Sequence, residues 1–149
     1  MAYLAGERMT AGRTNRLQPV DYDAAATSAL PVATTTYADI PGCSITFTTA
    51  VAGATYKAWG TFDCNVTTTS GSILMVGHLL VDGVVDTGIA VYGMDTLDRA
   101  TIAMTWKGTL AAAGSHTLKL QGALTSALAS GGSFLQSDTK LMLTITEVV

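Results

Sequence analysis

The stretch Ser72–Tyr92, SILMVGHLLVDGVVDTGIAVY, decides the fold. Two apolar runs meet at Asp82-Gly83, and this dipeptide supplies the two positive φ angles that a type I′ turn requires. The first run is apolar on both faces, whereas a strand with one solvent-facing side alternates apolar with polar residues. A buried helix is also compatible with such a run, because periodicity alone does not separate the two. The turn signal, Gly77 and the content of Val and Ile favour a β-hairpin.

A strand that is apolar on both faces has to be covered twice. Its own core covers one face, and we expect a second subunit to cover the other. Trp59 belongs with this interface, because it is the one aromatic on the polar face of a neighbouring predicted strand; a harmless single exposure is the alternative. The residues expected at the subunit interface are Trp59, Leu74, Val76, His78 and Leu80.

The composition describes one domain with little charged surface. The 149 residues are 48% hydrophobic and 13% charged, against about a quarter charged in typical domains. The net charge of -3 argues against a nucleic-acid partner, which would need clustered Lys and Arg. No apolar run is long enough for a membrane span, and we expect no signal peptide.

Short alternating stretches at nearly regular spacing predict an all-β protein. Gly-rich turns separate them, and none has the period of a long helix. Counting Leu30–Ile40, there are about eight strands, the number expected of an antiparallel jelly-roll β-sandwich. Ala24–Ala29 is expected to be a linker, and Pro41-Gly42 a turn between strands. The other predicted strands are Cys43–Thr49, Thr55–Val66, Arg99–Lys107, Gly114–Gly122 and Lys140–Val148.

Residues 1–23 differ from the rest of the chain. They contain three arginines and several apolar residues, but no period that would bury a face. Such an arm is either frayed or docked on a partner, and its apolar residues favour docking. The expected organisation is a docking arm at 1–23 and a jelly-roll domain at 24–149. The arm residues expected to make the contact are Arg8, Met9, Thr10, Arg13, Asn15, Arg16 and Leu17.

No catalytic constellation is recognisable in the sequence. His78 and His116 have no cysteine or carboxylate at ligand spacing, so both are expected to be structural or interfacial. The cysteines fit neither a metal site nor a redox motif; buried free thiols are expected, with a disulfide as the alternative. Four aspartates near predicted loop ends lack the pattern of a calcium loop. We therefore expect no catalytic residue, no metal and no cofactor.

Two segments resemble bacteriophage virion proteins. The arm is similar to the opening of many phage tail, fibre and head-appendage proteins, at Gly6, Met9, Thr10, Ala11, Asn15 and Leu17. The body is similar to phage members of the TNF/C1q-like jelly-roll group. The motifs that carry this likeness are YKAWGTFDC (56–64), LLVDGVV (79–85), TIAMTWKGTLAAAGSHTLKLQ (101–121) and the closing LMLTITEV (141–148).

This resemblance implies a homotrimer without enzymatic activity. The protein would be made in the bacterial host cytoplasm and reside on the virion, with the major capsid protein or tail proteins as partners. It would serve as a capsid decoration protein, a head fibre or a minor tail protein. The absence of a stalk favours a compact protein over a distal fibre. The alternative is a module that binds a host receptor or surface glycan, and an enzyme is the least favoured reading.

Overall fold

The computed structural model describes residues 18–66, 73–94, 98–126 and 132–147, which form two antiparallel sheets facing each other. No helix in these ranges could span a membrane. The strands are β1 (Val20–Ala25), β2 (Leu30–Val32), β3 (Ala38–Thr49), β4 (Ala54–Val66), β5 (Ile73–Val81), β6 (Val84–Val85), β7 (Ala90–Met94), β8 (Asp98–Leu110), β9 (Gly114–Leu124) and β10 (Gly132–Thr146).

The two sheets have the connectivity of a jelly roll. Sheet A has the order β1-β10-β4-β8, with β2 also paired to β10. Sheet B has the order β3-β9-β5-β6, with β7 also paired to β5. The chain crosses between the sheets at almost every long strand, from β3 to β4 to β5 and again from β8 to β9 to β10. The predicted fold class, an all-β antiparallel jelly-roll sandwich, is confirmed.

The core lies between the sheets and is centred on Phe62 of β4. This ring is fully buried and meets Phe134 edge-on, with the ring centroids 5.9 Å apart. It reaches across to sheet B at Gly77, where an added Cβ would lie 2.3 Å from the ring. A glycine in the middle of β5 therefore makes room for an aromatic ring of the opposite sheet.

The turn of the central hairpin is as predicted, but the strand after the turn is shorter than the sequence indicates. Asp82 and Gly83 have φ values of 51° and 83°, and the β6 residues pair back onto β5 across this two-residue loop. The second apolar run does not continue as one strand, because it breaks at residues 86–89. The Asp86 carboxylate there accepts a hydrogen bond from Tyr56 Oη at 2.7 Å. β7 then returns to pair with β5 further along.

The sandwich begins earlier than the sequence indicates. The expected boundary between residues 23 and 24 falls inside β1, which pairs along its whole length with β10. Tyr22 points inward and packs on Phe47, with ring centroids 5.5 Å apart. The first two residues of the expected linker Ala24–Ala29 therefore belong to a strand. The segment is too short to show an alternating pattern, and its pairing with β10 makes it a strand.

Pro41-Gly42 is not a turn between strands. Both residues lie inside β3, where the pairing with β9 shifts register between Asp39 and Ser44. Gly42 has a φ of 85°, and an added Cβ would lie 2.6 Å from the backbone oxygen of Ala25. The dipeptide thus makes a β-bulge that lets the end of β1 approach β3 closely.

Candidate functional site

The outer face of sheet A, which is otherwise polar, bears two large apolar side chains at its centre. Trp59 of β4 lies directly opposite Met142 of β10 on one side and Thr105 of β8 on the other. Trp59 is half-buried, while Met142 is 42% exposed. The two form a ridge in the middle of a face otherwise made largely of threonine and charged residues.

A groove of about 480 Å³ runs beside this ridge toward the edge strand β1. The groove is lined by Asp21, Tyr22, Asp23, Trp59, Met142, Leu143 and Thr144. We call these seven residues the sheet A groove.

The polar groups around the sheet A groove differ on its two sides. On the β1 side, Asp21 Oδ1 accepts a hydrogen bond from Thr144 Oγ1 at 2.6 Å, and the Asp23 side chain is exposed. On the other side, the Lys57 ammonium lies 4.7 Å from the centroid of the Trp59 ring, a cation–π contact. The arrangement is an apolar centre between carboxylates and an ammonium, suited to a binding surface rather than to proton transfer.

The predicted interface residues of β5 are mostly covered by the chain itself. Val76, His78 and Leu80 are only 3%, 4% and 8% exposed, whereas Leu74 is 41% exposed. Leu74 thus remains accessible to a partner, while the other three offer little surface. A subunit contact through β5 stays a prediction.

A polar network accounts for the cover over His78. Its ring stacks on Tyr37, with centroids 3.9 Å apart. The amide of Gln121 donates to Asp39 at 2.5 Å, so its oxygen faces His78 Nε2 at 2.8 Å and accepts a hydrogen bond from it. Lys119 also binds Asp39, at 2.6 Å, and these two donors lower the pKa of that carboxyl. His78 is therefore a satisfied structural histidine on the outer face of sheet B.

His116 has a partner that sequence spacing does not reveal. Its Nδ1 lies 2.7 Å from Asp82 Oδ2, and its Nε2 lies 3.1 Å from the backbone oxygen of Ala112. Both neighbours are hydrogen-bond acceptors, and the buried ring lies between them. Burial alone would raise the pKa of Asp82, but hydrogen bonds from His116 and Thr117 hold it below its ordinary value. The pair fastens the hairpin turn to β9.

A second charged pair stabilises the far end of β4. Asp63 is fully buried and accepts two hydrogen bonds from Arg99, at 3.0 and 2.7 Å. Its backbone amide donates to Thr139 Oγ1 at 3.0 Å, where a register shift in β10 turns Thr139 inward. Asp63, Arg99 and Thr139 satisfy one another's hydrogen bonds, which indicates a structural role.

The cysteines are buried free thiols, as expected. Burial raises the pKa of Cys43 to about 11 and that of Cys64 to about 12, so neither is a nucleophile at neutral pH. Across the described ranges, no three His, Cys, Asp or Glu side chains converge as a metal site would require. The residues predicted to form the docking contact, Arg8, Met9, Thr10, Arg13, Asn15, Arg16 and Leu17, lie outside the described residues.

Comparison with known proteins identifies the fold and no sequence family. No family model matches the chain, and no curated protein matches its sequence. The structure is similar to the Eiger TNF of S. frugiperda, with a TM-score of 0.53 and 9% identity over 87% of this chain and 93% of that one. It is also similar to a chain of the T13 IBDV viral particle, with a TM-score of 0.51 and 14% identity over 86% of this chain.

These two likenesses concern the fold alone. The chain spans only 31% of the viral-particle chain, so it corresponds to one part of that larger protein. The sandwich is therefore TNF-like in its architecture, and part of a viral-particle chain has a similar architecture.

Proposed function

We propose that this protein is a non-enzymatic structural component of a bacteriophage virion. It forms a trimer through the outer face of sheet A, and its N-terminal arm docks on the capsid or the tail. The observation that carries the self-association is the ridge of Trp59 and Met142, which is partly exposed in the middle of sheet A. The virion setting and the trimer are supported by the resemblance of the arm and body to phage virion proteins.

The chemistry of the ridge suits a protein–protein contact. Tryptophan is enriched among residues that contribute most to binding, and such residues lie at the centre of an interface within a polar rim. Trp59 has this placement, since threonines and charged residues of the same face surround it. Met142 is 42% exposed, so burying the remainder stabilises an interface by less than the roughly 1.5–3 kcal/mol of a full burial.

Light scattering after size exclusion tests the self-association. The wild-type chain should be a trimer at micromolar concentration, and Trp59→Ser with Met142→Ser should shift it toward monomer. Val84→Ser is the matched control, because Val84 is an apolar residue of sheet B that is 71% exposed. A monomeric wild-type chain, or a trimer unaffected by the double substitution, would contradict the proposal.

A chain that begins at Gln18 tests the arm. It keeps all of β1, whereas removal of residues 1–23 would delete part of an edge strand. We expect this shortened chain to fold and trimerise but to lose binding to particles that lack the protein. Arg8→Ala, Arg13→Ala and Arg16→Ala together should weaken the same binding, because arginine pairs well with carboxylates of a partner. Binding equal to that of the full chain would exclude the arm as the attachment device.

A second candidate function is binding of a host-surface glycan in the sheet A groove. One observation favours it: Trp59, a platform for a sugar ring, lies beside Asp21 and Asp23, whose oxygens accept from hydroxyls. Glycan binding and self-association would compete for the same indole. A glycan array with the purified chain would identify a ligand. If that ligand dissociates the oligomer, the result favours glycan binding as the function of the sheet A groove.

A further inference from the structure

Charges on the outer face of sheet A are separated by strand. In one row across the sheet, the pairing places Asp21 beside Thr144, Thr144 beside Lys57, and Lys57 beside Lys107. In the next row, Asp23 lies beside Met142. All four of these charged side chains are exposed. The carboxylates therefore lie on the edge strand β1 and the ammonium groups on β4 and β8.

Among the residues that the structure describes, these charges have no ion-pair partner. Lys57 and Lys107 lie directly opposite each other, an arrangement that destabilises a strand pair. The ion pairs among the described residues join Arg99 to Asp63, His116 to Asp82 and Lys119 to Asp39, and none reaches this row. Strands about 4.8 Å apart put the Cα atoms of Asp21 and Lys57 roughly 10 Å apart, and the Lys57 ammonium lies over the Trp59 ring while Asp21 binds Thr144.

Lys140 does not remove the separation. It lies on β10 one row beyond Met142, with Ala25 and Thr61 as its direct neighbours. From there it is a diagonal neighbour of Asp23, about 7–8 Å away, and it is more distant from Asp21. One end of the Asp21 row is therefore negative and the other end positive.

We infer that the β1 edge of one copy packs against the β4–β8 side of the next copy. Asp21 and Asp23 of one copy then pair with Lys57 and Lys107 of the next, beside Trp59. This inference rests on the proposed self-association through sheet A and specifies its partner and orientation. In a trimer every contact is head-to-tail, so one charge-separated row supplies both sides of each interface. The pairing also relieves the repulsion between the two lysines.

Charge reversal on each side tests the orientation. One variant carries Asp21→Lys and Asp23→Lys, another carries Lys57→Asp and Lys107→Asp, and a third carries all four changes. Each of the first two should weaken self-association by at least about tenfold, because like charges then meet across the contact. The fourfold variant has the wild-type net charge and should regain most of the wild-type affinity. Mixing the first two variants should restore association in part, since unlike copies present opposite charges but a ring of three always keeps one contact between like copies.

Sedimentation velocity at low and high salt gives the readout, with near-UV circular dichroism to establish folding. If a charge-reversed variant fails to fold, a neutral variant replaces it. On the β1 side this is Asp21→Asn with Asp23→Asn, and on the other side it is Lys107→Gln alone, which keeps Lys57 over Trp59. Self-association of all variants at wild-type strength, or no recovery in both the fourfold variant and the mixture, overturns the inference. A monomeric wild-type chain instead overturns the proposed function, so the two failures are distinguishable.

Discussion

Replacing Gly77 with alanine should destabilise the sandwich by about 1–3 kcal/mol, the range for inserting a methyl group into a filled core. An added Cβ would lie 2.3 and 2.5 Å from two carbons of the Phe62 ring, more than an ångström inside ordinary contact distance. The ring cannot retreat easily, because Phe134 and Trp106 pack edge-on against it. For a domain of this size, the melting temperature should fall by roughly 2–12 °C.

Phe62→Leu provides the compensating change. Leucine removes the part of the ring that the new methyl would meet, so the double variant should be more stable than the two single effects predict. Contacting residues show coupling energies of about 0.5–3 kcal/mol. Urea unfolding of wild type, both single variants and the double variant measures this coupling directly.

Gly93→Ala is the matched control for the glycine substitution. Gly93 lies on β7 beside β5, and an added Cβ there would meet a carbon of Leu74 at 3.4 Å, ordinary contact. This variant should be neutral or stabilised by about 0.4–1 kcal/mol, because alanine restricts the unfolded chain. If Gly77→Ala behaves like Gly93→Ala, or if no coupling to Phe62 is found, the account of this packing contact is wrong.

Three further predictions concern groups that the structure pairs or buries. The lowered pKa of Asp82 means that its carboxylate stabilises the fold above its unfolded pKa of about 3.9 and that this contribution is lost as pH falls through the lowered value. Asp82→Asn should therefore lower the urea midpoint at pH 7 and have little effect at pH 2; equal effects at both would contradict this. Cys43 and Cys64 should react slowly with a thiol reagent until urea unfolds the protein, and rapid labelling in native buffer would show an exposed thiol. Arg99→Met should lower the melting temperature because it leaves the buried Asp63 unpaired, and Asp63→Asn added to it should recover part of the loss; no recovery would locate the effect elsewhere.

Local chemistry explains what the sequence predicts correctly. The turn at Asp82-Gly83 needs two positive φ angles, and few dipeptides supply them, so the hairpin follows from two residues. Alternation in β4, β8 and β9 reports directly which side chains enter the core, including Trp106, which is 2% exposed. Both signals arise from residues that are close together in the sequence, so they can be recognised without knowing the fold.

Contacts between distant residues explain what the sequence does not predict. His116 and Asp82 are 34 positions apart, and only the pairing of β5 with β9 brings them together. Pro41-Gly42 carries a strong local turn signal, yet the close approach of β1 makes it a bulge inside β3. β1 itself depends on β10, more than a hundred residues later. In each case a tertiary contact determines the structure, either against the local pattern or where the local pattern gives no signal.

The two outer faces of the sandwich differ in how many of their polar and aromatic side chains have partners within the chain. On sheet B, Tyr37 stacks on His78, and Gln121 links that histidine to Asp39, so the apolar run of β5 needs less from a partner than its sequence suggests. On sheet A, the corresponding face keeps an indole, a thioether and a row of separated charges without such cover. Sheet B also keeps exposed apolar side chains around its hairpin, at Leu74, Val84, Val85, Ile89 and Val91, so both sheets leave apolar surface for a partner. A subunit contact through β5 stays a prediction, and we propose the face around Trp59 because it also provides separated charges that could orient a second copy.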